Sequence, residues 1–179
     1  MPSFEQALKQ GKVGTEQALE LFDSLEGVDI DFMHGRWRGA DFPTDHVMDG
    51  LLERYGWYGK EFIDADHVHP LVFTGVGGKR YSVNPSLMPI GLAHHVPDAL
   101  NNLAGRIFPW LKPLFSTRQT AARLRLTSFR GKVSAAMIYD RQPIQDVFRR
   151  VDADTLLGVM DFKGMKQPYF FVLRRDTQG

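Results

Sequence analysis

The last third of the chain limits the possible folds most. Ala122-Arg123-Leu124-Arg125-Leu126-Thr127 alternates apolar and polar residues, which on a pleated strand sends the apolar side chains to one face. Arg130-Gly131 supplies a tight turn, and Val133, Ala135, Met137 and Tyr139 then line one face of a returning strand. Three further strands are predicted near residues 145–151, 155–162 and 169–175, separated by Asp152-Ala153-Asp154 and by the run 163–168. Strands joined by such short connections pair with their sequence neighbours, so this part reads as an antiparallel meander.

A second feature stands upstream, in Phe32-Met33-His34-Gly35-Arg36-Trp37-Arg38-Gly39-Ala40. As a strand, its period of two puts Gly35, Trp37 and Gly39 on one face and Arg36 and Arg38 on the other. A large ring then lies between two positions without side chains. Glycine weakens an ordinary strand, so the pair marks a place where backbone or another group must come close. The pattern suits the first strand of a small closed barrel, with an indole plugging one end and glycines letting the sheet bend around it. Strands near residues 59–64, 68–74 and 79–84, with turns at 65–66 and 75–78, bring the total to about nine, enough for a sheet to close and lose its edges.

Helical signals surround these strands. Ser3 with Gln6 forms a capping box ahead of Phe4, Ala7 and Leu8, and Gly11 ends that helix. A second helix starts at Thr15 with Ala18, Leu21, Phe22 and Leu25 at helical spacing. Both read as helices packed at the foot of the barrel, or as a homodimer surface. Thr44 is positioned to cap a third helix whose apolar side is Val47, Met48, Leu51, Leu52 and Tyr55, ended by Gly56. It is expected to cover apolar sheet, at the place where small lipid-binding barrels carry a lid. Five prolines divide residues 85–117, where helical spacing survives from Asp98 to Phe108. There Phe108, Trp110, Leu111, Leu114 and Phe115 read as a roof over the barrel, a portal, or a patch that touches a membrane surface. The predicted organisation is one domain over 1–179: N-terminal helices (1–27), the Trp strand with a helix and the first strands (28–84), a helical insertion (85–117) and the C-terminal meander (118–179).

Composition removes several functions. With 22 basic and 21 acidic side chains and a net charge of +1, no basic stripe is available for nucleic acid. The chain has no Cys, which excludes disulfides, thiolate chemistry and Cys-based zinc sites and agrees with a reducing cytoplasm. The N-terminus carries acid early and has no apolar run, unlike a signal peptide. No stretch reaches the ~20 apolar residues of a membrane span. A cytoplasmic location is expected.

His34-Gly35-Arg36-Trp37-Arg38-Gly39 resembles the GXWXG family of bacterial proteins of unknown function. Phe129-Arg130-Gly131-Lys132-Val133-Ser134-Ala135-Ala136-Met137-Ile138-Tyr139-Asp140 resembles the second domain of unknown function that accompanies it. More distantly, the Gly-x-Trp is similar to the first-strand signature of lipocalins and other calycins, which bind small apolar molecules. The resemblance implies a mainly β, closed antiparallel barrel. It also implies that an Arg near the end of the last strand stacks over Trp37, and Arg174 and Arg175 stand at the matching place.

The expected function is carriage or sensing of a small, mostly apolar molecule in the barrel interior. Trp37, Tyr81, His94, His95, Met137 and Tyr139 are the candidate ligand contacts, and Gly35, Trp37, Gly39, Arg174 and Arg175 the structural motif. The mixture Ala135, Met137, Leu157, Gly158 and Val159 is expected to leave room inside. The alternative is a cofactor-independent isomerase or hydrolase with His94, His95 or His67 as base. Haem held by His94 or His95 is a third option. His67 and His69, two apart on an expected strand, are weak candidates for a shared metal, with His94 or His95 as a third ligand; the spacing is similar to that of cupin-type sites, but Pro70-Leu71-Val72-Phe73-Thr74 lacks the Glu such a site would supply. No phosphate loop, dinucleotide fingerprint or Gly-x-Ser-x-Gly occurs.

Overall fold

The computed structural model describes residues 3–87 and 115–177. Among them, nine strands form one antiparallel sheet: β1 (Gly35–Asp41), β2 (Trp57–Phe62), β3 (Val68–Thr74), β4 (Arg80–Ser82), β5 (Ala122–Phe129), β6 (Lys132–Tyr139), β7 (Ile144–Arg150), β8 (Thr155–Phe162) and β9 (Tyr169–Arg175). β5 to β9 pair in succession, β9 pairs with β1, β1 with β2, and β2 with β3. β3 then meets β5 through a single pair, Val68 with Ala122, so every strand but β4 takes part in a closed ring. β4 is an additional strand on β3.

Alternation along these strands separates two apolar layers. One face of the ring gathers Trp37, Trp57, Phe62, Phe73, Leu124, Ala135, Met137, Tyr139, Phe148, Leu156, Met160, Phe171 and Leu173 into an interior cluster. The other face presents Ala136, Val147, Leu157, Val159, Phe170 and Val172. Against that outer face pack α1 (Phe4–Gln10) and α2 (Thr15–Ser24), through Phe4, Ala7, Ala18, Leu21 and Phe22. The two helices therefore cover the flank of the sheet and not its foot. Leu157 and Val159 face these helices too, which corrects their expected inward placement. The reason is local: Thr155-Leu156-Leu157-Gly158-Val159-Met160 is apolar in both phases because both faces of β8 are covered, so periodicity cannot say which residues point inward.

α1 begins with the expected reciprocal cap, Ser3 Oγ accepting from the Gln6 N–H at 3.3 Å and Gln6 Oε1 from the Ser3 N–H at 2.9 Å. The helix expected after Thr44 is much shorter. Only α4 (Leu51–Arg54), following the single turn α3 (Ile30–Met33) in chain order, is helical there. Asp45 and Gly50 both take positive φ, at 62° and 73°, which a continuous helix cannot contain. Asp49 Oδ2 accepts the backbone N–H of Thr44 and of His46, folding the segment into a turn. Met48 and Leu51 still reach the interior cluster, whereas Val47 is exposed. No helix among the described residues is long and apolar enough to cross a membrane.

Candidate functional site

The Gly-x-Trp-x-Gly run is β1, and its residues have separate tasks. Trp37 is fully buried, its indole N–H donating to the Met33 carbonyl at 2.8 Å. Arg175 lies opposite it across β1 and β9, with its guanidinium carbon 4.2 Å from the ring centroid. The same guanidinium donates to the carbonyls of His34 (3.1 Å) and Phe32 (3.0 Å), tying the end of β9 to the segment before β1. Stacking of this kind contributes about 0.5–2 kcal/mol. Arg174 is exposed and opposite Arg38, so of the two candidates Arg175 is the one on the indole. Gly35 sits in open space at φ +107°, a conformation that suits glycine. Gly39 is different: a Cβ there would lie 2.1 Å from Cζ3 of Trp57, so the glycine is where the second indole lies against β1.

Trp57 in turn walls a polar centre inside the ring. Lys60 is in register with Trp37, which turns its side chain to the interior. Its ammonium is 2.7 Å from Asp146 Oδ2, both side chains are buried, and it donates a further hydrogen bond to the Pro70 carbonyl at 3.2 Å. Three rings surround the ammonium, with centroids at 5.0 Å (Phe171), 5.6 Å (Trp57) and 5.9 Å (Tyr139). Phe171 has room because Gly158 has no side chain; a Cβ there would lie 2.4 Å from the ring. Asp146 reaches the centre from β7, where it lies between Met137 and Met160 in register.

The electrostatics follow from burial. Desolvation raises the Asp146 carboxyl above its ordinary value, and the Lys60 charge opposes that rise. Burial, and then the Asp146 charge, hold the Tyr139 phenol well above its ordinary value. Asp146 Oδ1 and the indole N–H of Trp57, both buried, have no hydrogen-bond partner among the described residues. A buried polar atom left so costs about 1–3 kcal/mol.

The structure brings together Trp37, Met137 and Tyr139 from the sequence-based candidates. Tyr81 is half-buried on β4, opposite Phe73 of β3, with its ring against Gly75. His67 is exposed ahead of β3, its Nδ1 2.9 Å from Asp64. His69 lies opposite Glu61, on the face that carries the Arg36–Glu61 ion pair, and burial lowers its pKa. The two imidazoles therefore have different surroundings, His67 exposed beside Asp64 and His69 largely buried opposite Glu61. Among the described residues no group of three or more His, Asp or Glu is placed to hold a metal ion. His94, His95 and the apolar residues Phe108, Trp110, Leu111 and Leu114 lie outside the described residues, while Phe115 packs against the interior cluster.

Lys60, Asp146 and Trp57 were missed from sequence. Their signal was a charge in the apolar phase of a strand: Lys60 is in phase with Phe62, and Asp146 with Ile144 and Phe148. A second polar cluster, outside the group around Lys60, is structural. There Asp41 accepts hydrogen bonds from the Tyr169 hydroxyl and the Gly50 N–H. His46 Nδ1 accepts from the Met48 N–H at 3.1 Å, leaving Nε2 to donate to the Gln167 carbonyl at 3.1 Å.

Residues 20–78 match the family profile described as GXWXG protein, and residues 120–175 match the domain of unknown function DUF4334. No match occurs among curated proteins. Among solved structures, the crystal structure of a protein from Thermomonospora curvata is 36% identical, with a TM-score of 0.70 over 96% of this chain and 95% of that one.

Proposed function

Since the chain belongs to the GXWXG protein family, with the DUF4334 domain following, we propose that its ring is a calycin-like barrel that carries or senses a small, mostly apolar molecule in its interior. The observation that supports this reading is the polar centre itself, the buried Lys60–Asp146 pair with Asp146 Oδ1 and Trp57 Nε1 left unpartnered among the described residues, set among the apolar side chains of the interior cluster. Interiors that only need to be stable satisfy such atoms or replace them with hydrocarbon. Ligand sites instead combine apolar walls with a few polar groups that orient the guest. Of the three candidate bases His67 alone is among the described residues; it is exposed and paired with Asp64, while the polar groups gathered at the interior among the described residues are Lys60, Asp146, Trp57 and Tyr139, which supports binding over acid–base chemistry by His67.

Native mass spectrometry and organic extraction of protein purified from its source test the reading. The expected result is a bound small molecule that is released by solvent and whose occupancy falls in Trp57→Ala. Protein that carries no bound species and takes up no apolar fluorescent probe would overturn it.

A further inference from the structure

The polar face of the motif strand has its own order. Arg36 and Arg38 alternate with the buried Trp37 and so face outward. A cleft of about 400 Å³ opens there, lined by Arg36 from β1, Tyr58 and Glu61 from β2, Val72 from β3 and Arg80 and Ser82 from β4. Both of its guanidiniums are anchored. Arg36 donates through Nε to Glu61 Oε1 at 2.8 Å, and its two terminal nitrogens make no hydrogen bond among the described residues. Arg80 lies over the Tyr58 ring, its guanidinium carbon 4.3 Å from the centroid, with Nη2 3.1 Å from Asp176 Oδ2. Asp176 ties this group together: its side chain is 1% exposed, and it also accepts from the Tyr58 hydroxyl and from Arg38 Nη2 at 3.2 Å.

Charge on this face favours an anion. The guanidiniums of Arg36, Arg38 and Arg80 stand against the carboxylates of Glu61 and Asp176, and the exposed Arg174 is in register with Arg38 across β9 and β1. Like charges so placed repel each other, and a bound anion relieves them. A guanidinium held by one carboxylate keeps further N–H donors in its planar fork, a shape that matches an oxyanion. Holding those donors before a ligand arrives lowers the entropy lost on binding.

We infer that this outer cleft is a second binding site, in which Arg36 and Arg80 receive the phosphoryl oxygens of inorganic phosphate or of a small phosphoester. A phosphoryl dianion suits it better than a carboxylate because it offers three oxygens to forks arriving from two strands and carries twice the charge. Val72 gives the cleft an apolar wall for the organic part of an ester.

Calorimetric titration with phenyl phosphate, inorganic phosphate and benzoate at one ionic strength tests this. Saturable one-to-one binding of at least one phosphate is expected, with benzoate weaker by about tenfold or more. Tighter binding of phenyl phosphate identifies a phosphoester as the ligand; inorganic phosphate binding as tightly or more tightly identifies the free ion. Arg36→Gln and Arg80→Gln are each expected to weaken binding by about tenfold or more. Arg123→Gln, which removes an arginine paired with Asp140 on β5 and β6, is expected to leave it unchanged. In the unsubstituted protein the backbone amide signals of Gly78 and Ser82, which line the cleft, are expected to shift at saturation. The site is overturned by the absence of saturable heat from both phosphates, by benzoate binding as tightly as phenyl phosphate, or by losses in Arg36→Gln and Arg80→Gln no larger than in Arg123→Gln.

Discussion

Gly35 and Gly39 look equivalent in the motif and differ in kind. Gly39→Ala drives a methyl group into the Trp57 ring, which must shift from β1 and from Lys60. Overpacking of this sort costs about 1–3 kcal/mol, and urea unfolding is expected to show most of that loss recovered in Gly39→Ala with Trp57→Phe. Gly35→Ala meets no atom but must hold φ near +107°, so its cost is backbone strain of about 1–3 kcal/mol that Trp57→Phe leaves unchanged. The ion pair gives a sharper contrast. Lys60→Met or Asp146→Leu alone strands a buried charge and is expected to cost about 3–5 kcal/mol, whereas the double variant is expected to recover most of the stability. Equal, additive losses in the two single variants and the double variant would show that the pair is not coupled.

The bounds of the elements were legible in their turns, and the phase only where one face of a strand is wet, as in β5. β3, β8 and β9 lie where the turn residues put them, because Gly, Pro and Asp clusters stop strands for local reasons. The ends of β9 test the motif at this scale. Arg175→Ala removes the stack on Trp37 and two bonds to carbonyls ahead of β1, and is expected to cost about 1–3 kcal/mol in urea unfolding. Arg174→Ala, at an exposed position, is expected to change stability by less than about 0.5 kcal/mol. What stayed hidden has a common physical cause. In β8 both faces are buried, so the pattern has no phase; at residues 44–50, the side chain of Asp49 and positive φ at Asp45 override helical spacing. The partnership of Lys60 with Asp146 was also invisible, since it joins β2 to β7 across the ring and pairing across a closed sheet leaves no mark on local sequence.

At the scale of the whole molecule, closure of the ring makes burial the dominant electrostatic influence. Tyr139 and Tyr169 are both held well above the ordinary phenol value of 10.0, first by burial and then by Asp146 and Asp41 respectively. Below that pH neither state releases the phenolic protons and the contribution to stability is complete. Above it the unfolded chain releases them and the folded chain does not, so stability falls as pH rises past about 10. Urea midpoints are expected to decline there with tyrosinate absorbance appearing together with unfolding, and Tyr139→Phe or Tyr169→Phe is expected to flatten the decline. The binding centre is reached most directly through its own indole. In a nitrogen–proton correlation spectrum of this three-tryptophan chain, with the Trp57 indole signal assigned by Trp57→Phe, saturation with an apolar fluorescent probe is expected to move that signal strongly. The Trp37 signal, whose N–H is already held by the Met33 carbonyl, is expected to stay in place. A Trp57 resonance unchanged by saturating probe would contradict a guest at the Lys60–Asp146 centre.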